Sequence, residues 1–426
     1  MPELGPSPLM AGDPQLSVAE ARAAIAAALK PIAGIETVTL ADALGRVLAA
    51  DLASPIDVPA HDNSAMDGYA FDGAVLDSAS AAEFSVIGTV FAGQPFKGAV
   101  GAGECLRIMT GAVMPLGLDT VVPQELCQAG AGRVRIEAGV ISRGENRRRR
   151  GEDLAVGRAA LRGGRVLRPA DLGLIASLGI ASVSVKRRLR VALFSTGDEL
   201  RSPGEPLDPG CIYDSNRHSL TGTLQRLGVQ IIDLGLVRDD PAALQATLEA
   251  AVAQADVVLT SGGVSVGEAD HTRALLAGMG EVAFWKVAMR PGRPFAFGPL
   301  HATLNGEQRS SWLFALPGNP VAALVTFYAF AREALLQLAG AHPEPLPVLQ
   351  ARCESAIRKR PGRTEFQRGI VSQAPGGSWQ VRISGAQGAG ILRSMSEANA
   401  LVVLGHDQGS VAAGEPVDVW LFDGLA

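Results

Sequence analysis

The sequence predicts a multidomain α/β protein with a parallel-sheet domain, a split helical domain that contains an inserted β module, and a C-terminal β-barrel. The chain has 426 residues, which is more than one hydrophobic core usually needs. Between residues 190 and 340, continuous apolar strands alternate with amphipathic helices, a pattern typical of a parallel sheet covered on both faces. Two helical segments of similar apolar spacing flank a stretch of short β-type runs, which indicates an insertion.

The composition indicates a folded globular chain. Hydrophobic residues make up 47% and charged residues 19%, far from the polar composition of disordered chains. The 38 basic and 43 acidic residues give a net charge of −5, so nucleic acid is not expected as a partner. The four cysteines lack metal-binding or disulfide-framework spacing, which is typical of a reducing compartment.

The sequence predicts a cytoplasmic protein with no membrane partner. The N-terminal stretch "MPELGPSPLMAGDPQ" has no basic residues ahead of an apolar segment, unlike a secretory signal. The longest apolar run, "VAALVTFYAFA", ends at Arg332, which makes it too short for a membrane span.

Residues 1–57 and 151–187 are expected to form the split helical domain. Its first helix lies in "SVAEARAAIAAALK", where Ser17 and Glu20 have the spacing of a capping box. A second helix is predicted in "RPADLGLIASLGI". Between the two parts, residues 58–150 carry short runs such as "FSVIGTVFAG" and "RVRIEAGVI", which predict a β-rich domain.

Residues 188–343 are predicted to form the α/β domain. Its strands are "VALFS", "VQIIDLGLV", "DVVLT", "AFWKVAM" and "WLFAL". Its helices are expected from Asn216 to Leu227, from Pro241 after the N-cap Asp240, from Glu268, and from Pro320. Residues 344–426 contain Gly-separated β-type runs and follow a proline-rich linker, "HPEPLPV". They predict the C-terminal barrel, although this pattern also allows a sandwich.

Polar residues follow the predicted strands, at the edge where open α/β sheets bind ligands. After "VALFS", Asp198 and Glu199 could bind a divalent metal or act as an acid and a base. The structural alternative is that they only stabilise a turn or helix start. After "VQIIDLGLV", Asp240 is accounted for as an N-cap, which leaves Asp239 for the crevice.

The stretch "TSGGVSVGEADHT" follows the third strand and is either an ordinary turn or a cradle for an anion. Its glycines allow successive amides to turn toward a ligand, and its serines offer hydroxyl donors. Glu268 and Asp270 can favour the positive end of the next helix. The glycine spacing matches neither the P-loop nor the dinucleotide fingerprint. The residues of interest are Ser261, Gly262, Gly263, Ser265 and Gly267.

Two proline-bounded turns follow the remaining strands. "RPGRP" carries Arg290 and Arg293, preceded by Lys286, and these cations suit an oxyanion, unless the loop is merely solvated. "PGNP" starts a helix and can present backbone amides or the side chain of Asn319. Five such strand ends together predict a site for an anionic, phosphorylated ligand and a metal ion.

Two polar segments lie outside the α/β domain. "DNSAMDGYAF" contains Asp62, Asn63, Ser64 and Asp67, which either form turns or bring Asp67 to a site from another domain or subunit. The basic run from Arg147 to Arg150 is either an exposed face or a phosphate contact beside Glu152 and Asp153.

Taken together, the motifs resemble those of the molybdopterin molybdenumtransferase family, which includes the gephyrin E-domain. They are "DNSAMDGYA", "RRRGEDL", "FSTGDEL", "IYDSNR", "TSGGVSVGEAD", "RPGRPFAFG" and "LPGNP", and they span residues 60–320. The resemblance implies an elongated homodimer of four-domain subunits, with the helical domain serving dimerisation and the α/β domain binding molybdopterin. It also implies a site at the subunit interface.

The resemblance further implies a reaction in which adenylylated molybdopterin and molybdate give molybdenum cofactor and AMP, with Mg²⁺ as metal. By the same resemblance, Asp67 and Asp153 would arrive across the dimer. The catalytic residues would be Asp67, Glu199, Asp239 and Asp270, and the metal ligands Asp198, Glu199, Asp239 and Asp270. Molybdopterin would be held by Thr110, Thr196, Gly197, Ser261, Gly262, Gly263, Ser265, Gly267, Pro317, Gly318, Asn319 and Pro320.

The molybdate pocket departs from the family pattern. Two lysines of the family's KPGKP motif are replaced here by Arg290 and Arg293, with Lys286, Arg368 and Ser394 as companions and Ser265 nearby. A guanidinium fork keeps the charge of an ammonium but is larger and planar. We therefore expect oxyanion binding to persist, whereas this departure leaves the affinity and the choice between molybdate and tungstate open.

The sequence allows two alternatives to the transferase. One is a non-catalytic scaffold like the gephyrin E-domain, although no interaction segment is visible. The other is molybdopterin adenylyltransferase, which shares the α/β domain but does not need the other three, so the chain length and "DNSAMDGYA" argue against it. Molybdopterin adenylyltransferase and molybdoenzyme acceptors are also expected partners of the transferase.

Overall fold

The computed structural model describes residues 15–77, 79–263, 269–304, 306–342 and 346–422, without the side chains of residues 269–273, 284 and 304. Up to residue 187, its regular elements in chain order are α1 (Val18–Ala28), β1 (Ile35–Thr39), β2 (Leu52–Ala53), β3 (Asn63–Ser64), β4 (Gly68–Phe71), β5 (Ala82–Val90), β6 (Glu104–Ile108), β7 (Thr120–Pro123), β8 (Gln128–Gly130), β9 (Arg133–Ile136), β10 (Arg147–Arg148), β11 (Ala159–Leu161), α2 (Pro169–Ser177) and β12 (Ser182–Lys186).

Antiparallel strand pairs join the two parts of the split domain. β1 pairs with β12, which puts Ile35 opposite Lys186, and β2 pairs with β11. Leu48 from the first part and Ile175 from the second share one hydrophobic core. The chain between them is therefore an insertion, as the sequence predicts. It forms a six-stranded sheet in the order β7-β4-β6-β5-β9-β8.

The first helix begins as predicted, but it packs in the core of the α/β domain and not against α2. The Glu20 N–H donates to Ser17 Oγ at 3.2 Å, and the Ser17 N–H donates to Glu20 Oε2 at 2.8 Å, which completes the capping box. Val18, Ala21 and Ile25 are buried in the core of the α/β domain, whereas α2 packs on the paired strands. The residue boundaries expected for the four domains remain predictions.

The α/β domain contains a mixed sheet. The five predicted strands run in one direction, and a sixth strand, which was not predicted, is antiparallel to both of its neighbours. Its elements are β13 (Arg190–Thr196), β14 (Leu200–Arg201), β15 (Ile212–Tyr213), α3 (Asn216–Arg226), β16 (Gln230–Val237), α4 (Pro241–Gln254), β17 (Val257–Ser261), α5 (Ala269–Met279), β18 (Ala283–Lys286), β19 (Met289–Arg290), β20 (Pro294–Leu304), β21 (Glu307–Leu316), α6 (Pro320–Thr326) and α7 (Arg332–Leu338).

The sheet order explains how the strand ends meet. The order is β16-β13-β17-β21-β20-β18. β16, β13, β17 and β21 are parallel, and β20 is antiparallel to both β21 and β18. β20 reverses because only a short connection separates it from β21, as in a hairpin. β18 consequently runs in the direction of β21, so all five strand ends lie at one edge, with β20 between β18 and β21.

The helix that follows β21 is the core helix of this domain. Its path runs from Pro320 to Leu338 through a π-helical turn at Phe327–Ala331. Its 19 residues are long and apolar enough to cross a membrane, but 72% of the apolar window is buried inside the protein. Arg22 of α1 donates to the Ala329 carbonyl within the π turn at 2.9 Å. This segment therefore joins α1 to the α/β core.

The C-terminal part is a closed barrel. Its elements are β22 (Leu349–Cys353), β23 (Thr364–Gln373), β24 (Trp379–Ile383), α8 (Leu392–Glu397), β25 (Ala400–Leu404) and β26 (Pro416–Leu421). The pairs β22–β24, β24–β23, β23–β25, β25–β26 and β26–β22 return to the first strand. Closure decides between barrel and sandwich. Of the five pairs in this closed ring, β22–β24 is parallel and the others are antiparallel. β19 also pairs with β23, which connects "RPGRP" to the barrel.

Candidate functional site

Three of the predicted acidic and hydroxyl residues meet at the ends of β13 and β16. Thr196 Oγ1 donates to Asp239 Oδ1 at 2.7 Å, and the Asp239 N–H donates to Asp198 Oδ1 at 3.3 Å. A side chain at Gly197 would lie 2.6 Å from the Glu199 carboxylate. Asp198, Glu199 and Asp239 are exposed, so their remaining oxygens are open to a ligand.

The residues that the structure describes do not form a complete set of metal ligands. Within the described parts of the chain, no three His, Cys, Asp or Glu side chains are grouped to hold a metal ion. Asp198 and Asp239 provide two neighbouring carboxylates. The side chain of Asp270, the fourth predicted ligand, lies outside the described residues.

The glycine loop after β17 approaches β13 closely. Gly262 and Gly263 have φ of +99° and +70°, in the left-handed region that favours glycine. A Cβ on Gly262 would lie 2.5 Å from the Thr196 carbonyl oxygen, so this position excludes any side chain. Ser261 is buried at the strand end. Ser265 and Gly267 lie outside the described residues.

The PGNP turn lies beside this loop. A Cβ on Gly318 would be 3.8 Å from the Gly262 Cα, which places the two loops side by side. Asn319 is the N-cap of α6 and Pro320 its first residue, while Pro317 is buried. Asn216, which was not among the predicted site residues, bridges the end of β17 and the PGNP turn. Its Nδ2 donates to Ser261 Oγ at 2.7 Å and to the Gly318 carbonyl at 2.6 Å. Its signal was the "IYDSNR" motif.

Arg368 and Ser394 of the barrel are brought together, but their contacts are with the protein. Arg368 is fully buried, and its guanidinium donates to Ser394 Oγ at 3.1 Å and to the carbonyls of Ala386 and Gly388 at 2.9 and 3.0 Å. Burial, and secondarily the charge of Arg290, lowers the pKa of Arg368 to about 10. Arg368 thus holds the 386–388 loop in place.

The barrel loop held by Arg368 reaches the α/β domain. The Val321 N–H, in the first turn of α6, donates to the Ala389 carbonyl at 3.0 Å. Asn319 Oδ1 lies 3.9 Å from the position of a Cβ on Gly390. The barrel therefore forms one side of the sheet edge at the PGNP turn.

The three cations of the predicted molybdate pocket have no carboxylate ion-pair partner among the described residues. Lys286, Arg290 and Arg293 are exposed, and Arg290 lies opposite Glu365 in the β19–β23 pair. Glu365 is bound by Arg363 at 2.8 Å instead. Among the residues that the structure describes, no carboxylate forms an ion pair with these three cations or with Arg368. Such an uncompensated group of cations attracts anions.

Asp67 and Thr110 form a separate pair in the inserted module. Asp67 Oδ1 accepts from the Thr110 N–H and from Thr110 Oγ1, both at 2.7 Å. The backbone hydrogen bond, followed by the hydroxyl one, lowers the pKa of Asp67. Both residues are exposed, and no hydrogen bond in the described part of the chain joins them to the α/β sheet edge.

The basic run is mostly used in local ion pairs. Arg147 pairs with Asp62, Arg148 with Glu152 and Arg150 with Asp57. Asp153 is exposed, and its N–H donates to the Val58 carbonyl at 3.0 Å. Structural pairing accounts for three of the four arginines, so a phosphate contact is left to Arg149.

Comparison with known proteins shows to which family this chain belongs. Residues 16–179 match the family described as MoeA N-terminal region (domain I and II), residues 192–337 the probable molybdopterin binding domain, and residues 350–422 the MoeA C-terminal region (domain IV). The molybdopterin molybdenumtransferase of Haemophilus influenzae is 41% identical over 92% of this chain and 94% of its own length. This chain belongs to the molybdopterin molybdenumtransferase family.

Other family members agree in length and fold. Molybdopterin molybdenumtransferase 2 of Mycobacterium tuberculosis is 36% identical over 90% of this chain and 94% of its own length. A crystal structure of the molybdopterin biosynthesis MoeA protein of Pyrococcus horikoshii covers 96% of this chain and 100% of its own, with 28% identity and a TM-score of 0.81. The expected fold class and family are confirmed, whereas the roles of the individual site residues remain predictions.

Proposed function

We propose that this molybdenumtransferase family member inserts molybdenum into molybdopterin: adenylylated molybdopterin and molybdate give molybdenum cofactor and AMP. The observation that carries the proposal is the sheet edge itself. There, a glycine loop and the PGNP turn lie side by side, beside a group of cations without carboxylate partners. A phosphorylated pterin suits the loops, and a tetrahedral oxyanion suits the cations.

In this proposal, the chain's own residues bind the two substrates in neighbouring places. Backbone amides after β17 and at the start of α6 hold the pterin and its phosphates. Arg290, Arg293 and Lys286 bind molybdate, while Arg368 and Ser394 shape the wall behind it. Water hydrolyses the pyrophosphate bond, so that AMP leaves and the other phosphate stays on the pterin. Molybdate exchanges two of its oxo groups, which leave as water, for the two dithiolene sulfurs.

We further propose that Mg²⁺ assists at the acidic end of the edge. Carboxylate oxygens are the ligands that Mg²⁺ prefers, and Asp198 and Asp239 are neighbours with open oxygens. Glu199 and Asp270 would complete the set. Magnesium bound there would neutralise charge on the phosphate oxygens, and Thr196 would keep Asp239 oriented through its 2.7 Å hydrogen bond.

We also propose a homodimer in which the inserted module of the partner subunit supplies Asp67. Met66, Phe91 and Leu116 are apolar residues of this module with exposed fractions of 42%, 51% and 97%. Exposed apolar side chains close to a functional carboxylate favour a covered interface. The four cysteines are free, which suits a cytoplasmic protein. Molybdopterin adenylyltransferase and molybdoenzyme acceptors would be its partners.

The direct test is AMP release from adenylylated molybdopterin by the purified protein with Mg²⁺. AMP release that requires molybdate is the expected result. Release without that requirement, or no release, would overturn the transferase proposal. Consumption of ATP with bare molybdopterin would support the adenylyltransferase instead, and ligand binding without turnover would support a scaffold.

A further inference from the structure

The "IYDSNR" segment at the start of α3 connects several strand ends, and the proposed reaction does not account for it. Asp214 is 1% exposed and accepts from Ser195 Oγ at the end of β13 and from Arg217 Nε, each at 3.1 Å. Two residues later, Asn216 donates to Ser261, the last residue of β17, and to Gly318, which follows β21. A single short segment thus contacts three of the strand ends that form the edge.

The orientation of the Asn216 amide is fixed by its partners. The Gly318 carbonyl, 2.6 Å from Nδ2, can only accept a hydrogen bond. Ser261 Oγ lies 3.3 Å from the Pro317 carbonyl, to which its hydroxyl donates, so it accepts from Asn216. A reversed amide would place Asn216 Oδ1 against the Gly318 oxygen. The NH₂ group must therefore face both loops.

This arrangement is costly for Asn216 itself. The residue is 9% exposed, and among the residues that the structure describes no donor reaches its buried Oδ1. An unsatisfied buried acceptor carries a free-energy cost, because it loses its hydrogen bonds to water without a replacement. A small apolar residue would avoid this cost, and an unsatisfied polar group in a native site calls for a reason other than its own stability. We attribute the presence of Asn216 to its two hydrogen bonds, one to Ser261 and one to the PGNP turn.

We propose that Asn216 is the positioning residue that sets the spacing between the glycine loop after β17 and the PGNP turn. The facing positions are Gly262 and Gly318, which have no side chains to hold the loops apart or together. Asn216 instead fixes the Ser261 hydroxyl and the Gly318 carbonyl on either side. The inference rests on the proposed function, because the spacing matters only if a pterin phosphate binds between these loops.

The test compares binding of adenylylated molybdopterin with molybdate dependence. Asn216→Ala should raise the Kd for adenylylated molybdopterin about tenfold, since both donations are lost. The molybdate concentration for half-maximal AMP release should stay within about twofold, because the cations lie at another part of the edge. Ser219→Ala, one turn further along α3, is the matched control, because its hydroxyl donates only to the Ser215 carbonyl.

A second variant covers the case in which Asn216→Ala does not fold. Ser261→Ala removes only one of the two donations and should raise the same Kd by about threefold. If Asn216→Ala does fold, adding Ser261→Ala to it should raise the Kd by less than about threefold, since the two residues share one hydrogen bond. This non-additivity is not expected of two independent structural defects.

The outcomes separate the two levels of the proposal. An unchanged Kd in Asn216→Ala, or in Ser261→Ala if the first variant is unfolded, overturns the positioning role. So does a parallel loss of pterin binding, molybdate dependence and thermal stability, which indicates general destabilisation. Failure of the wild-type protein to bind adenylylated molybdopterin overturns the proposed function, and the role of Asn216 with it.

Discussion

At the scale of single residues, the two arginines of "RPGRP" are the feature that distinguishes this chain from the family's KPGKP pattern. Arg290→Lys with Arg293→Lys should change the half-saturating molybdate concentration by at least about threefold, because a fork is replaced by a point charge. The Kd for adenylylated molybdopterin should stay within about twofold. Steady-state AMP release and pterin binding measure the two quantities.

The same double variant also tests oxyanion choice. The ratio of activity with molybdate to activity with tungstate should differ from that of the wild-type protein. Arg309→Lys is the control, because Arg309 pairs with Glu307 in the exposed first part of β21 and lies outside the proposed pocket. An unchanged molybdate dependence would remove Arg290 and Arg293 from oxyanion binding.

Gly262 is the residue whose backbone most constrains the cradle. Gly262→Ala would force a Cβ to 2.5 Å from the Thr196 carbonyl at a φ of +99°. The loop must shift, at a cost of about 1–3 kcal/mol, so binding of adenylylated molybdopterin should weaken by about tenfold or more. Gly222→Ala in α3 is the matched control, since its Cβ would meet nothing within 4 Å. Equal binding by both variants contradicts the cradle.

At the scale of secondary-structure elements, an ion-pair cluster anchors the entry of β17 to the split domain. Asp256 accepts from Arg187 at 2.7 and 2.8 Å and from the Arg190 N–H at 2.8 Å. Burial alone would raise the pKa of Asp256, but the hydrogen bonds from Arg187 and Arg190 outweigh it and lower the pKa. The carboxylate is therefore stabilised in the folded protein.

Asp256→Asn should lower the free energy of unfolding by about 2 kcal/mol at pH 7. A lowered folded-state pKa gives stability that is present above the unfolded pKa of about 3.9 and is lost as the pH falls through the folded value. The difference between variant and wild type should therefore begin to shrink as the pH falls below about 4 and should vanish below the folded-state pKa. Urea denaturation at several pH values measures this, with Asp208→Asn as control because Asp208 is 68% exposed. A pH-independent difference would contradict the ionic origin.

The elements differ in how far the sequence could predict them. The start of α4 at Pro241 was predictable because its signal is local: Asp240 Oδ2 accepts from the Ala243 N–H at 2.8 Å. β20 was missed, because Gly298 and Pro299 interrupt its apolar run in the way that a turn does. The role of Asn216 was also hidden, since its partners Ser261 and Gly318 are distant in sequence.

At the scale of the whole molecule, the insertion was predictable and the location of α1 was not. Similar helical segments on both sides of a β-rich stretch indicated the insertion, and the β1–β12 pair confirms it. The packing of α1 depends on residues far along the chain, such as Ala329, which accepts from Arg22. The contact between α6 and the barrel, from the Val321 N–H to the Ala389 carbonyl, also joins residues that are distant in sequence. It brings the barrel to the candidate site.

The proposed dimer makes a prediction for mixed subunits. If Asp67 acts in the partner's site, mixing Asp67→Asn with Glu199→Gln chains should restore about a quarter of wild-type activity, because half of the dimers regain one intact site. A mixture of Glu199→Gln with Asp239→Asn is the control, since both defects lie in the same half-site and no intact site forms. Activity is measured as AMP release after the chains are exchanged. No recovery in the first mixture contradicts a site shared between subunits.

The central claim, that this protein transfers molybdenum at the sheet edge, is tested most directly by single-turnover measurement of AMP and molybdenum-loaded pterin. The wild-type protein, loaded with adenylylated molybdopterin and Mg²⁺, is mixed with molybdate. The account predicts that both products appear together in about a one-to-one ratio, and only after molybdate is added. AMP that forms at the same rate without molybdate, or without molybdenum-loaded pterin, would contradict it.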